Sequence, residues 1–208
     1  MANGTIVPMT LFPSLKPIVD FILEVDRLKA VTRKIKLRGL DRFENPAEHS
    51  WQIALLAGSL ASFADPAVDM AHVIAMLLVH DIGEIDTGDT LTFVEGGWVE
   101  RKAAELEAVR RIVGLLPADL ASRYLELWQE FEAAETIDAR FANAVDRAMP
   151  VILNLANGGQ SWRDNDISYE RVVRRVAPPI QAGCPALWTY LEPQLSDARE
   201  NGLFGGSV

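Results

Sequence analysis

The sequence lacks several features that mark whole classes of protein. It contains one cysteine, Cys184, among 208 residues, so no disulfide can form within the chain, and the reducing cytoplasm is the predicted compartment. No uninterrupted apolar run approaches the roughly 18 residues that a membrane-spanning helix needs. The segment from Met1 to Pro13 also lacks the basic region and apolar core of a secretory signal. We therefore expect neither a membrane association nor export.

Positive charge is also scarce. The 20 lysines and arginines are outnumbered by 29 aspartates and glutamates, which gives a net charge of −9. A nucleic acid polymer is therefore not an expected partner, because binding a long polyanion requires clustered cations. A small phosphorylated ligand needs only a few local cations and is not excluded. The densest basic run, which by itself is typical of a solvated surface loop, comprises Arg33, Lys34, Lys36, Arg38 and Arg42.

Alternating strand patterns and internal repeats are absent as well. Apolar residues instead recur at three- and four-residue spacing, as in Ile18, Phe21, Val25 and Leu28, which is typical of amphipathic helices. A chain of this length with 49% hydrophobic residues can bury one substantial core. We predict an all-α, single-domain helical bundle over residues 1–208. Its core spans about 14–165, the C-terminal helices of 166–200 pack on that core, and a short flexible tail follows.

Residues that cap helices indicate where the helices begin. The candidate starts are Ser14, Asn45-Pro46, Asp65-Pro66, Pro117 and Asp138, with two further helices between Tyr169 and Arg199. The helix after Asn45 is predicted to run to about Ala64, and its buried row comprises His49, Ile53, Leu56, Leu60 and Phe63. The helix after Asp65 is predicted to end at His80. Two helices joined by a short turn thus both direct a histidine into the interior.

The ionisable residues of greatest interest follow an uncharged segment. Every residue from Val73 to Val79 is uncharged, as in a helix buried in a core, and the segment ends in His80 and Asp81. Burying both side chains is costly unless each finds a partner. A divalent metal would supply one. A His-Asp pair alone is more often a simple hydrogen-bonded pair, so the metal hypothesis requires ligands from other segments.

Two other helices offer such ligands. His49 lies in the buried row described above, and Asp146 lies in an apolar row of a helix that Pro150 loosens by leaving the Asp146 carbonyl without its usual donor. The remaining histidine, His72, lies about two turns before His80 and off its face, so a surface or satisfied core position is favoured over ligation. Two imidazoles and two carboxylates without thiolates suit one Mn, Co, Fe, Mg or Zn ion rather than a structural zinc. The proposed ligands are His49, His80, Asp81 and Asp146.

This arrangement resembles a known family. The order His, His-Asp, Asp on successive helices is similar to the HD-domain superfamily of metal-dependent phosphohydrolases. The similarity to its 5′-deoxynucleotidase branch is more specific and extends from about Phe21 to Trp162. It rests on the segment Arg42 to Trp51 and on His80-Asp81 followed by Glu84, Gly88 and Asp89.

The resemblance implies an activity and a set of roles. It implies that the four ligands above bind one divalent metal and that Glu84 and Asp89 share the acid-base work. The expected reaction is removal of phosphate from (deoxy)nucleoside 5′-monophosphates by attack of a metal-activated water. An arginine is expected to hold the phosphate, and the candidates in order of positional match are Arg33, Arg38 and Arg42. Relatives in this branch also imply a possible homodimer.

Several alternatives stay open at this point. Lys34 follows Arg33 where the bacterial deoxynucleotidases have tryptophan, so the resemblance implies no sugar or base preference. Another HD phosphohydrolase, acting on a nucleoside triphosphate, an alarmone or a phosphodiester, is the second hypothesis. The third is a non-catalytic binding module in which the metal only holds three helices together. Glu84 can alternatively hydrogen-bond His80 without contacting water, and the segment from Ile85 to Val99 can be a movable cover or a plain connection.

Overall fold

Helices account for the regular structure of the chain. The computed structural model describes residues 15–90, 93 and 96–206, and within them the extended pairing is limited to an isolated antiparallel bridge between Lys36 and Phe43. The all-α prediction is confirmed. Two short 3₁₀ helices span Asp26–Ala30 and Ala61–Phe63. The α-helices are α1 (Lys16–Val25), α2 (Pro46–Ser59), α3 (Met70–Val79), α4 (Glu84–Thr87), α5 (Trp98–Val113), α6 (Ala118–Ala133), α7 (Ile137–Ala156), α8 (Gln160–Asp164), α9 (Tyr169–Gly183) and α10 (Pro185–Glu200).

Helix α7 lies at the centre of the bundle. It contacts α2, α3, α6, α9 and α10, and α9 packs along it over the greatest length. Small and large apolar residues alternate on its buried surface, where Phe141, Ala144 and Val145 are fully inaccessible to solvent. Pro150 lies inside α7 without ending it. A polar residue in the middle of this helix, such as Asp146, is therefore surrounded by protein on several sides.

The start of α2 agrees with the sequence. The Asn45 side chain accepts a hydrogen bond from the Glu48 backbone N–H at 2.9 Å, and the Glu48 carboxylate accepts one from the Asn45 N–H at 3.1 Å. This reciprocal capping box, with Pro46 at the first helical position, satisfies two backbone donors that a helix start leaves unpaired. It fixes the first turn of α2, which carries His49.

The junction between α2 and α3 differs from the prediction. Helix α2 ends at Ser59 rather than near Ala64, and the following 3₁₀ turn takes Phe63 out of the buried row, so that it is 58% exposed. Helix α3 starts at Met70 rather than after Asp65. Asp65 caps only a local turn, whereas the Asp69 side chain accepts hydrogen bonds from the first N–H groups of α3. The predicted start was wrong because two capping aspartates lie four residues apart.

Other helix boundaries were also misplaced or missed. Helix α7 is capped by Thr136, which accepts from the Ala139 N–H at 3.0 Å, while the predicted cap Asp138 accepts from the Asp69 N–H instead. The short helix α8 has no counterpart among the predicted elements. The predicted cap Ser14 lies outside the described residues. Among the residues that are described, no helix has the length and apolar character needed to cross a membrane.

Candidate active site

Four predicted ligands from three parts of the chain meet at one point. His49 comes from the first turn of α2, His80 and Asp81 directly follow α3, and Asp146 comes from the middle of α7. His49 Nε2 lies 3.0 Å from Asp146 Oδ1, and His80 Nε2 lies 3.1 Å from Asp81 Oδ1 and 3.8 Å from Asp146 Oδ1. Potential ligand atoms of His49, His80 and Asp81 all lie within 4.8 Å of one another. The donors are therefore close enough to share a single ion.

The orientation of His80 fits a metal ligand. Its Nδ1 lies 2.9 Å from the Leu77 carbonyl oxygen, which can only accept, so Nδ1 carries the ring proton. Nε2 then points toward Asp81 and Asp146, and its lone pair faces these carboxylates once its proton is lost. This buried nitrogen has no hydrogen-bond partner among the described residues. Since a buried polar atom is normally satisfied, an ion at this point would supply the missing partner, and nitrogen and oxygen donors suit a divalent cation.

The electrostatics of the cluster also favour a cation. Burial alone would lower the pKa of His80, but the carboxylates of Asp81 and Asp146 outweigh it and raise the pKa to about 10. Burial would likewise raise the pKa of Asp81, but the neighbouring His80 and Arg33 lower it to about 2. The buried carboxylates thus hold a positive charge on His80 when no metal is present. The residues fit a divalent ion, which would take over that charge.

His49 is in a different electrostatic state. Its side chain is fully buried, and burial, reinforced by the positive charge of Arg33, lowers its pKa to about 4. The imidazole is therefore neutral at physiological pH. A neutral ring is the form that binds a metal, so His49 needs no proton loss to act as a ligand.

The two carboxylates predicted for acid-base work lie beside these ligands. Glu84 begins α4, and Asp89 follows one residue after Gly88. Burial, together with the charges of Asp81 and Asp89, raises the pKa of Glu84 to about 9. Burial also raises the pKa of Asp89, although Arg33 opposes it. His80 Nδ1 is bonded to Leu77 and not to Glu84, whose Oε2 has no hydrogen-bond partner among the described residues.

The predicted arginines occupy different places. Backbone pairing of residues 33–37 with 42–44 brings Arg33 beside the cluster, where its Nη1 lies 3.1 Å from Asp81 Oδ2 and 3.8 Å from Asp89 Oδ1. Arg42 instead pairs with Glu48 on the surface at 2.6 Å. Arg38 is exposed. Of these three, Arg33 alone lines the cavity at the cluster.

That cavity has a volume of about 270 Å³ and contains charged residues that the sequence patterns did not indicate. Lys102 contacts Glu105 at 2.7 Å and Glu132 at 2.8 Å. Arg147 Nε lies 3.6 Å from Asp146 Oδ2. The unpredicted polar residues of the cavity wall are Lys102, Glu105, Glu132, Asn143, Arg147 and Arg175. Only Arg147, as the neighbour of Asp146, had a sequence signal that could have suggested it.

Two other predicted features lie outside the cluster. His72 is 37% exposed and lies 2.7 Å from Glu130, and with Glu130 and Asp138 it forms a second group of side chains that could hold an ion. Thr90 reaches the cavity wall. The predicted cover from Ile85 to Val99 includes residues 91, 92, 94 and 95, which lie outside the described residues.

Comparisons with known proteins identify the family. A family model described as HD domain matches residues 25–188. The chain belongs to the HD domain family. Among solved structures, this HD domain is similar to a predicted metal-dependent phosphohydrolase from Magnetospirillum magnetotacticum MS-1, with 40% identity, a TM-score of 0.87, and coverage of 92% of this chain and 98% of that one. The resemblance inferred from the sequence is confirmed.

Curated relatives of this HD domain carry a more specific name. The human 5′-deoxynucleotidase HDDC2 is 28% identical over 138 residues, which are 66% of each chain. The 5′-deoxynucleotidase PM0747 of Pasteurella multocida is 29% identical over 168 residues, covering 76% of this chain and 85% of that protein. The aligned residues thus make up about two thirds of the human relative's length and a larger share of the bacterial relative's length.

Proposed function

We propose that this HD domain is a metal-dependent phosphohydrolase that removes phosphate from (deoxy)nucleoside 5′-monophosphates. The observation that supports this proposal is the convergence of two histidines and two carboxylates on one buried point, in a cavity that also contains Glu84, Asp89 and Arg33. The names of the curated relatives support the choice of substrate.

The metal would be held by His49, His80, Asp81 and Asp146. A bound divalent ion supplies Lewis acidity toward a phosphoryl oxygen and toward water. The nitrogen and oxygen donors are compatible with Mn, Co, Fe, Mg and Zn. Elemental analysis would identify the native ion.

The residues around the ligands would handle the proton and the phosphate. Glu84, with its raised pKa, holds a proton at neutral pH and is suited to donate it to the nucleoside 5′ oxygen as the ester bond breaks. Asp89 also lines this cavity and is the second proposed acid-base group. Arg33 presents a guanidinium that is permanently charged and can pair with phosphate oxygens. These residues divide the proton transfer and the charge neutralisation between them.

A smaller cavity next to the first supports a nucleoside substrate. It has a volume of about 60 Å³ and shares Arg33, Asp89 and Thr90 with the larger one. Its other residues are mostly apolar or aromatic, as the faces of a sugar and base require. They are Ile35, Phe93, Pro150, Val151, Trp162, Val172 and Val176, with Lys34, Asn154 and Ser161 as polar groups. With a phosphate at the metal, the apolar wall of this small cavity would contact one face of the sugar or base rather than enclose the nucleoside.

Metal removal followed by a substrate screen tests the proposed function. We expect metal-free protein to be inactive and to release phosphate from nucleoside 5′-monophosphates after Mn, Co or Mg is added. The panel should include deoxy- and ribonucleotides, nucleoside triphosphates, an alarmone and a phosphodiester. Elemental analysis of the purified protein provides the native ion. Activity restricted to the triphosphates, the alarmone or the phosphodiester would replace the proposed substrate, and no activity with any metal would support the non-catalytic binding module.

Two neighbouring arginines on α9 allow a test of whether this side of the cavity contacts the phosphate. Arg174 and Arg175 are both exposed, but of the two only Arg175 lines the cavity. Hydrogen bonds to charged groups contribute about 1.5 kcal/mol or more, so Arg175→Gln is expected to raise KM about tenfold with little change in kcat. Arg174→Gln removes the same charge from the same helix and should leave both constants unchanged. Equal effects in steady-state kinetics would attribute the loss to general charge and not to a phosphate contact.

Location and assembly stay predictions. The cytoplasmic location rests on the single cysteine, Cys184, which is buried and free. The homodimer rests on the resemblance, and the exposure of Trp51 (62%) and Leu55 (54%) on one face of α2 is compatible with a partner there.

A further inference from the structure

Glu44 is a buried charged residue that the proposed mechanism does not use. It lies immediately before the cap of α2 and is only 1% exposed. Its Oε1 accepts a hydrogen bond from Arg33 Nε at 3.0 Å, and its Oε2 has no hydrogen-bond partner among the described residues. Burying a carboxylate is costly even when it is paired. A side chain kept in such a place calls for an explanation beyond its contact with Arg33.

The helix start does not provide that explanation. Asn45 and Glu48 already form both hydrogen bonds of the capping box. Arg33 is also held independently, because its Nη1 contacts Asp81. Glu44 is therefore not needed to begin α2 and is not the sole support of Arg33.

The neighbouring ring of His49 gives a more specific reason. Its Nδ1 lies 3.7 Å from Glu44 Oε1 and, within the described part of the chain, has no hydrogen-bond partner. Its Nε2 lies 3.0 Å from Asp146 Oδ1 and donates to it in the neutral ring, which leaves Nδ1 without a proton. Two acceptors then face each other, in agreement with the 3.7 Å separation. If Nε2 instead binds a metal, the ring proton must reside on Nδ1, and Glu44 is the acceptor in front of it.

His80 already has such an acceptor for the proton on its Nδ1. His80 Nδ1 is bonded to the Leu77 carbonyl oxygen at 2.9 Å, which leaves Nε2 directed at the carboxylates. A ligand histidine usually donates its other N–H to a carbonyl or a carboxylate, and this contact fixes the ring and raises its basicity. Leu77 supplies this group to His80. On the corresponding side of His49, the residue in that place is Glu44.

We propose that Glu44 is a positioning residue that accepts hydrogen bonds from Arg33 and from Nδ1 of His49, and so joins Arg33 to a metal ligand. The proposal rests on the metal site of the proposed function but not on its substrate. Glu44 acts through His49 and Arg33 and touches neither the phosphate nor the water. Loss of Glu44 is expected to weaken metal binding strongly and substrate binding to a smaller extent.

Metal affinity measured without nucleotide tests this role. The Kd of Co²⁺ for metal-free protein is determined by calorimetry and by the visible absorption of the bound ion. Glu44→Met keeps the size of the side chain and removes both acceptor oxygens, and it should raise the Kd by about 10- to 100-fold, as loss of such supporting contacts does. Glu44→Gln removes the same charge but keeps one acceptor oxygen, and it should restore most of the affinity. Glu48→Gln is the matched control, because it alters a surface glutamate at the same helix start while preserving the capping box.

The possible outcomes separate the proposal from its alternatives. Wild-type affinity in Glu44→Met, or equal losses in the methionine and glutamine variants, would overturn the acceptor role. Circular dichroism and the melting temperature of the metal-free variants establish whether they fold. Should the methionine variant not fold, Glu44→Asp takes its place, since it keeps the charge but withdraws the carboxylate from the ring and should also weaken Co²⁺ binding, whereas unchanged binding would overturn the proposal. Because no nucleotide is present, failure of the proposed substrate would leave this result intact, and failure of Co²⁺ to bind the wild type would overturn the inference itself.

Discussion

Replacing His80 with alanine is expected to remove stoichiometric metal binding and, with it, phosphate release. His80 provides the buried Nε2 that faces both Asp81 and Asp146, and no other described imidazole except that of His49 lies within coordinating distance. Changes in the groups that merely support a ligand cost about 10- to 100-fold in metal affinity, so removing a ligand should cost more than about 100-fold. Elemental analysis after dialysis and a Co²⁺ titration would measure the loss.

A second histidine provides the matched control. His72 lies on α3, two turns before His80, and contacts Glu130 away from the cavity. His72→Ala should therefore retain both the metal and the activity. Metal retained in His80→Ala, or lost equally in both variants, would contradict the assignment of His80 as a ligand.

Replacing Glu84 with glutamine is expected to lower kcat by about 10²- to 10⁴-fold, the usual contribution of a positioned acid-base group. Glutamine copies the shape of the protonated carboxyl but cannot release a proton. Metal content should stay at the wild-type level, because Glu84 is not one of the four proposed ligands. Single-turnover kinetics and elemental analysis would distinguish a lost proton transfer from a lost metal.

The same substitution has an expected effect on stability. In the metal-free folded chain the pKa of Glu84 is raised from 4.5 to about 9, chiefly by burial and by Asp81 and Asp89. The unfolded chain therefore loses this proton at lower pH than the folded chain, and the ionisable group disfavours folding increasingly as the pH rises through that range. Glu84→Gln removes this penalty, so the melting temperature of metal-free protein at pH 7 should be equal to or higher than that of the wild type.

Asp86 offers a control on the same short helix. Its carboxylate faces Arg111, with Oδ2 at 2.6 Å from Nε, and it does not line the cavity. Asp86→Asn makes the equivalent carboxyl-to-amide change on α4 and should leave kcat unchanged. A Glu84→Gln variant with normal kcat would assign the acid-base work to Asp89, and one that loses its metal would make Glu84 a ligand.

The proposed ligands could be found from the sequence because each of them breaks a local pattern. His80 and Asp81 end an uncharged segment, His49 interrupts an aliphatic row, and Asp146 lies within the apolar surface of a long helix. A polar residue at a position that helical periodicity assigns to the core must find a partner. Burial of these residues could therefore be predicted, and their meeting followed from packing the three helical segments together.

The sequence by itself thus determined the helical class, the HD domain resemblance and the residues that can bind a metal. Only the tertiary structure decided which of the predicted Arg33, Arg38 and Arg42 lines the cavity, and it alone brought Glu44, Lys102 and Arg175 to the site or its edge. These residues lie in charged surroundings along the chain, where a side chain that faces the site and one that faces bulk solvent have the same local pattern. Which side chains face the site depends on the segments that pack around it, and that is a property of distant contacts rather than of neighbours in sequence.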